Sequence, residues 1–207
     1  AASTMVNCSN VAASFRLDIT SSSLNGVNFA SLPMSSLFDV EARMAHKEVS
    51  ASKKGKVTYV ANNQYVNNIT SPGTKIDKIQ NSVNYAEAGN IINLQAGTYN
   101  ERVTVDRSLS IVGSDSVKCI LSGTGLAGNG NGITINNAVT NVSISKVKVT
   151  NFTGANGNAN GGIYAIGGNN NLNIDEVSVT GNPGGAGFYA NGPVSNVSIT
   201  DSRFTNH

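Results

Sequence analysis

Three stretches decide the fold: Asn141-Val142-Ser143-Ile144-Ser145-Lys146-Val147-Lys148-Val149-Thr150-Asn151, then Asn171-Leu172-Asn173-Ile174-Asp175-Glu176-Val177-Ser178-Val179-Thr180-Gly181, then Asn196-Val197-Ser198-Ile199-Thr200-Asp201-Ser202-Arg203-Phe204-Thr205-Asn206. They superpose residue for residue, and their starts lie 30 and 25 positions apart. Ahead of each runs a shorter matching segment, Gly132-Ile133-Thr134-Ile135, Gly162-Ile163-Tyr164-Ala165 and Gly187-Phe188-Tyr189-Ala190, with the same two offsets. Apolar and polar residues alternate within every segment, as they do in a half-buried strand. Each repeat reads as three short strands and three bends, the size of one coil of a parallel β-helix, where every strand pairs with its equivalent in the next coil about 4.8 Å away. A β-sandwich also alternates, but it does not keep two strand offsets locked together through three units. The expected fold is all-β: a right-handed parallel β-helix with three strands per coil.

Stacked repeats align equivalent residues into columns. The inward columns are expected to be Val142/Leu172/Val197, Ile144/Ile174/Ile199, Val147/Val177/Ser202, Val149/Val179/Phe204 and Ile133/Ile163/Phe188, nearly all apolar as a core requires. Upstream, Ile92-Asn93-Leu94, Val103-Thr104-Val105, Leu109-Ser110-Ile111 and Cys119-Ile120-Leu121 read as further short strands punctuated by Gly, Asn, Asp and Ser. Before them, spacing predicts a helix over 75–86: Thr74 is an N-cap, Ile76, Ile79 and Val83 share a face, and Gly89 is a stop. Its apolar stripe is suited to capping one end of the stack. Residues 1–56 lack a strong period and read as an N-terminal extension, with a strand at 15–19, a helix at 35–48 whose Leu37, Val40 and Met44 share a side, and a polar linker at 50–56. A strand at 56–61 then opens the helical domain, 57–207.

Composition narrows the function classes. Charged residues make up 13% of the chain, against about 25% in an average soluble protein. The 22 glycines and 30 asparagines instead supply a polar, weakly charged, turn-rich surface. A net charge of +2, with no basic run longer than Lys53-Lys54, gives no field for a polyanion, so nucleic acid is not an expected partner. No run approaches the roughly 18–20 apolar residues of a membrane span. The opening Ala1-Ala2-Ser3 fits a mature end left by signal-peptide removal and equally an artificial start. Cys8 and Cys119 are compatible with one disulfide or with two buried thiols. His46 and His207 are too far apart in sequence to suggest a zinc cluster.

The run from Ile76-Asp77-Lys78-Ile79-Gln80 through Gly89-Asn90-Ile91-Ile92-Asn93-Leu94-Gln95-Ala96-Gly97-Thr98-Tyr99-Asn100-Glu101 to Ser108-Leu109-Ser110-Ile111-Val112-Gly113 resembles the opening of pectin-lyase-like β-helix proteins. In that superfamily a capping helix leads into a strand, a Gly-Thr-Tyr turn, an apolar strand and a Gly-terminated strand. The resemblance covers residues 57–207. It implies the fold far more than an activity, since the superfamily holds polysaccharide lyases, hydrolases, epimerases, esterases, phage tailspikes and bacterial surface proteins.

Catalytic residues are not evident. Polygalacturonase-type chemistry needs paired aspartates on one face, whereas Asp175 aligns with Ser145 and Thr200, and Asp201 aligns with Lys146 and Glu176. Gly97-Thr98-Tyr99 reads as structural, and Glu101 and Arg102 as solvated. Three features are candidate binding sites. Tyr164 and Tyr189 fall outward in one column and are expected to form an exposed aromatic platform for a sugar ring or a partner protein, or a cross-strand pair that stabilises the sheet. Lys148 and Arg203 share an outward column suited to a sugar acid. Glu176 and Asp201 are candidate calcium ligands, although a hard cation wants more oxygens than two carboxylates supply, and Lys146 should attract Glu176. Calcium is the one cofactor these residues suggest. Sequons begin at Asn7, Asn68, Asn141, Asn151 and Asn196; Asn141, Asn171 and Asn196 also suit an asparagine ladder.

These readings lead to a secreted or cell-surface scaffold, structural or adhesive, within a filament or a larger surface protein and without catalysis in this chain. A polysaccharide-acting enzyme with active coils beyond residue 207 and a carbohydrate-binding module are the alternatives. Expected partners are a polysaccharide or another surface protein. The apolar strand around Phe204 further implies more chain, or a stacking partner, on the last coil.

Overall fold

Alternating β-branched and polar residues pack best on a pleated surface with one buried face, and the chain forms a strand of three to six residues at each such run from Asn90 onward. The computed structural model describes residues 4–8, 10–12, 15–46, 56–68, 78–153 and 161–206. The protein is mostly β-strand with few helices, and its main sheets are parallel.

Three sheets hold the repeat. Sheet A has six strands: Asn63–Val66, Asn90–Leu94, Leu109–Gly113, Thr140–Ser145, Asn170–Asp175 and Ser195–Thr200. Sheet B has five: Gly97–Asn100, Cys119–Ser122, Lys148–Thr150, Ser178–Thr180 and Arg203–Thr205. Sheet C has four: Val103–Val105, Ile133–Ile135, Gly161–Ile166 and Ala186–Asn191. From Asn90 the chain visits A, B and C in turn, and each visit adds a parallel strand beside the previous one. The register reproduces the expected columns: Val142↔Leu172↔Val197 and Ile144↔Ile174↔Ile199 in sheet A, Val149↔Val179↔Phe204 in B, and Ile133↔Ile163↔Phe188 in C. Ile92, Leu121, Ile135, Ile144, Val149, Ile163 and Leu172, drawn from all three sheets, belong to one buried cluster.

The bends repeat as well. Asn141, Asn171 and Asn196 have φ of 54°, 56° and 51°, and Lys146, Glu176 and Asp201 have 56°, 51° and 44°. Asparagine enters this left-handed region at low cost, which accounts for the first set of corners; the second recurs at Lys146, Glu176 and Asp201, of which only the aspartate shares that tolerance. The predicted ladder forms: Asn171 Nδ2 donates to Asn141 Oδ1 at 2.9 Å, and Asn196 Nδ2 donates to Asn171 Oδ1 at 3.2 Å. At the edge of sheet A, Val197 and Ile199 are 37% and 43% exposed, whereas Leu172 and Ile174 one strand inward are 2% and 1%. The inward positions of the last strand are therefore covered on one side only.

The predicted helix is shorter than expected, with α2 spanning Ile79–Tyr85; the expected N-cap Thr74, with Lys75 and Ile76, lies outside the described residues. Lys78 occupies the N-cap position and makes no side-chain cap. Glu101 supplies one instead, its two carboxylate oxygens accepting from Ile79 N and Gln80 N at 2.9 Å each. Glu101 was expected to be solvated; it satisfies two of the amides that a helix start leaves without partners. Arg102 is likewise engaged rather than solvated, donating to Ala127 O at 3.2 Å and to Gly128 O. Ile79 and Val83 pack into the large cluster with the first strands, as the apolar stripe implied.

The N-terminal region builds a second core. Helix α1 spans Met34–Glu41, shorter than 35–48 because the chain turns into a strand, Met44–Ala45, paired with Val6–Asn7. Leu37, Val40 and Met44 are buried together as expected. Lys56–Thr58 does not join the main sheets; it pairs in parallel with Arg16–Asp18, and Val57 and Tyr59 pack into the N-terminal core. The strand Asn63–Val66 is shared by both cores, with Tyr65 on the N-terminal side and Val66 in the main cluster. Both cysteines are buried free thiols, Cys8 in one core and Cys119 in the other, so the disulfide alternative is not realised. The linker at 50–55, the Lys53-Lys54 pair and His207 lie outside the described residues, as do parts of the sequons at Asn7 and Asn68. Among the described residues no helix is long and apolar enough to cross a membrane.

Candidate functional site

Because side chains on a strand alternate, each inward column of sheet B leaves an outward neighbour. Thr98, Ile120, Lys148, Ser178 and Arg203 form one outward column, and Asn100, Ser122, Thr150, Thr180 and Thr205 the next. At the first three strands these columns line a groove of about 510 Å³ with Thr98, Asn100, Ile120, Ser122, Thr124, Lys148, Thr150 and Asn151 around it. One wall is the turn after Cys119–Ser122. Ser122 Oγ donates to Thr124 Oγ1 at 3.0 Å and accepts from Thr124 N at 3.2 Å, while Asn151 Nδ2 donates to Thr124 Oγ1 at 3.1 Å. Arg102 holds the rest of that loop through its bonds to Ala127 O and Gly128 O. Further along, Thr205 Oγ1 donates to Thr180 Oγ1 at 3.1 Å, continuing the hydroxyl column.

The groove offers hydroxyls, amides and one ammonium, and none of its lining residues is a carboxylate or an imidazole. Such a surface can hold a polar, anionic chain but has no acid–base pair of its own. Lys148 lies in the groove as the sequence implied, and Arg203 stands in the same column two strands on. Two strand spacings separate them by about 9.6 Å.

The other candidates lie elsewhere. Tyr164 and Tyr189 are paired in sheet C, ring centroids 5.6 Å apart and planes within 12°. They are half-buried rather than exposed, and Asn191 Nδ2 donates to the Tyr164 hydroxyl at 2.8 Å. Much of each face is spent on the neighbouring ring, which is the cross-strand pair rather than an open platform. The four predicted ligand residues thus occupy two different sheets. Glu176 and Asp201 sit on adjacent left-handed corners, and Lys146 Nζ lies 3.6 Å from Glu176 Oε1. Among the described residues no group of three or more His, Cys, Asp or Glu side chains could hold a metal ion. Asp175, read as non-catalytic, accepts from Thr200 Oγ1 at 2.6 Å.

Tyr99 is buried, and its hydroxyl lies 2.7 Å from Gln95 O and 3.2 Å from Val66 O, as its structural reading required. Burial holds that phenol well above its ordinary ionisation range. Sequence reading passed over Thr98, Asn100, Thr124 and Thr150. The alignment that placed Lys148 beside Ser178 and Arg203 would equally have placed Thr150 beside Thr180 and Thr205, a repeated hydroxyl column. No protein-family model, curated protein or solved structure matches the chain.

Proposed function

We propose that the chain forms part of a right-handed parallel β-helix of the pectin-lyase-like kind and serves as a secreted or cell-surface adhesive scaffold that binds acidic polysaccharide along the outer face of sheet B. The β-helical reading is supported by the cyclic visits to three parallel sheets and by apolar columns shared between them. The observation that carries the function is the groove at Thr98, Asn100, Ser122 and Lys148, neutral polar groups beside a cation with no carboxylate among them. Hydroxyls and amides match sugar hydroxyls, and the Lys148/Arg203 column matches carboxylates spaced on the scale of a disaccharide.

Affinity electrophoresis of the whole chain through gels containing polygalacturonate tests this. Retardation should fall in Lys148→Ala and Arg203→Ala and remain in the double variant Tyr164→Ala/Tyr189→Ala. Retardation lost only in the tyrosine variant moves the site to sheet C, and absence of retardation in the wild type ends the proposal. New reducing or unsaturated ends on incubation with the polymer would overturn the non-catalytic reading.

A further inference from the structure

A second pocket, of about 260 Å³, lies where the N-terminal core meets the first strands of sheet A. Its walls include Lys56, from the strand Lys56–Thr58, and Glu87 and Asn90, at the turn that opens the sheet A strand Asn90–Leu94. The charged lining residues are two cations, Arg16 and Lys56, and two carboxylates, Asp18 and Glu87, so the pocket has no net charge with which to hold an ion. A lysine, a carboxylate and an asparagine carboxamide around one small space are instead the groups that an amide exchange within the chain requires.

Lys56, Asn90 and Gln64 are all buried. Asn90 Oδ1 accepts two hydrogen bonds, from Glu87 N at 3.0 Å and from Gln64 Nε2 at 3.2 Å. Gln64 is held in turn by Ser82, whose Oγ lies 3.5 Å from Gln64 Oε1. Two donors on one carbonyl oxygen draw electron density from Asn90 Cγ. They also lie where negative charge gathers when Cγ is attacked, as the donors of an oxyanion hole do. Glu87, whose amide is one of those donors, also attracts Lys56 electrostatically. Burial acts against that attraction and is the larger influence, so Lys56 ionises below the ordinary lysine range and its neutral, nucleophilic amine is in easier reach than that of a surface lysine.

We infer that Lys56 and Asn90 join in an intramolecular isopeptide bond, with Glu87 carrying the proton between them. The Lys56 ammonium gives one proton to the Glu87 carboxylate, and the free amine attacks Asn90 Cγ. The Nζ–Cγ bond forms, and the oxyanion at Oδ1 is held by Glu87 N and Gln64 Nε2. Glu87 passes its proton to Nδ2, the Cγ–Nδ2 bond breaks as the carbonyl re-forms, and the departing ammonia takes up the second proton that Nζ releases. An ammonium group and a carboxamide become a secondary amide and a free ammonium ion, with no change of oxidation state and no co-reactant. The link fastens the strand paired with Arg16–Asp18 to the first round of the repeat, so the two cores cannot be pulled apart at this point. It is independent of the sugar-binding reading, since the pocket and the groove on sheet B share no lining residue.

The test is the intact mass of the folded full chain, followed by peptide mapping. Loss of ammonia should leave the wild type about 17 Da below the mass of its sequence. Because a succinimide at an Asn-Gly step such as Asn25-Gly26 loses the same mass, the digest decides: it should contain one branched peptide joining Lys56 to Asn90, with no tryptic cleavage after Lys56. Lys56→Met and Asn90→Ala should each return to the full sequence mass. Glu87→Gln keeps the amide that holds Asn90 Oδ1 and removes the proton carrier, so it should fold and stay unlinked. A wild type at full mass after prolonged incubation, a mass loss mapped to any other residue, or the same loss in Lys56→Met would overturn the bond. A link that forms fully in Glu87→Gln would overturn the role given to Glu87. Should any variant fail to fold, the wild-type mass and its branched peptide still decide the matter.

Discussion

Gly162 opens the sheet C segment Gly162-Ile163-Tyr164, and its lack of a side chain is a packing requirement. A Cβ built there would lie 2.2 Å from the carbonyl oxygen of Gly187 and 2.3 Å from Val179 Cγ1. Both contacts are far inside van der Waals range. Val179 can rotate or shift, but the Gly187 carbonyl belongs to the neighbouring strand Ala186–Asn191 and moves only if that strand moves. Overpacking a well-filled interior costs about 1–3 kcal/mol, and a backbone opponent places Gly162→Ala at the upper end, about 3 kcal/mol. For a chain of this size, unfolding in one step, that is a drop in Tm of about 6–12 °C. Gly125→Ala is the control. Gly125 has φ +77° with nothing within 4 Å of its built Cβ, so alanine meets only the left-handed backbone penalty, about 1 kcal/mol. Differential scanning calorimetry of both variants separates the two causes. Val179→Ala in the Gly162→Ala background should recover part of the loss and no more, since the carbonyl contact remains. A Gly162→Ala protein melting within about 2 °C of wild type, or no lower than Gly125→Ala, would refute the close approach of these strands.

Three further outcomes follow from named contacts. Glu101→Ala removes the carboxylate that caps α2 and should cost about 1 kcal/mol in urea unfolding, with Glu101→Gln intermediate because one of its two acceptors remains. In the N-terminal core, Val57 N donates to His46 Nδ1 at 3.2 Å, so His46 Nε2 carries the proton it gives Glu41 Oε1 at 2.9 Å, while Tyr59 OH donates to Glu41 Oε2 at 3.0 Å. Tyr59 can donate to Leu37 O in either variant, so Glu41→Leu strands the His46 donor and should cost about 2 kcal/mol, whereas Glu41→Gln keeps an acceptor for His46 and should stay within about 1 kcal/mol. Asp115 is held below the usual carboxylate range chiefly by the Val117 amide. Its folded-state ionisation is depressed, so its contribution is present above the unfolded value of about 3.9 and is lost as pH falls through the folded value. Asp115→Asn should therefore flatten the acid limb of a stability–pH profile; an unchanged limb would exclude that role.

The last three rounds of the repeat were legible because their signal is local. Alternation sets which side chains face the core, and equal offsets set which residues stack, so the columns Val142/Leu172/Val197 and Lys148/Ser178/Arg203 follow from the sequence alone. The earlier rounds were less legible, since Asn90 pairs with Leu109 and Leu109 with Val142 across unequal spacings that hide the repeat. At Tyr164 and Tyr189 an exposed platform and a cross-strand pair both stayed open, because an outward direction on a strand does not fix exposure; the stacked rings and the Asn191 hydrogen bond form the pair.

The sequence by itself determined the strand identity, the apolar columns and the recurrent asparagine corners, each governed by residues within one segment or by equal spacing between segments. Only the tertiary structure decided that Glu101 caps a helix some twenty residues before it, that Cys8 and Cys119 lie in separate cores, and that Lys56–Thr58 pairs with Arg16–Asp18 and not with the main sheets. Those outcomes depend on where distant segments come to rest against one another, and that is fixed by the packing of two cores around the shared strand Asn63–Val66, for which local periodicity carries no signal.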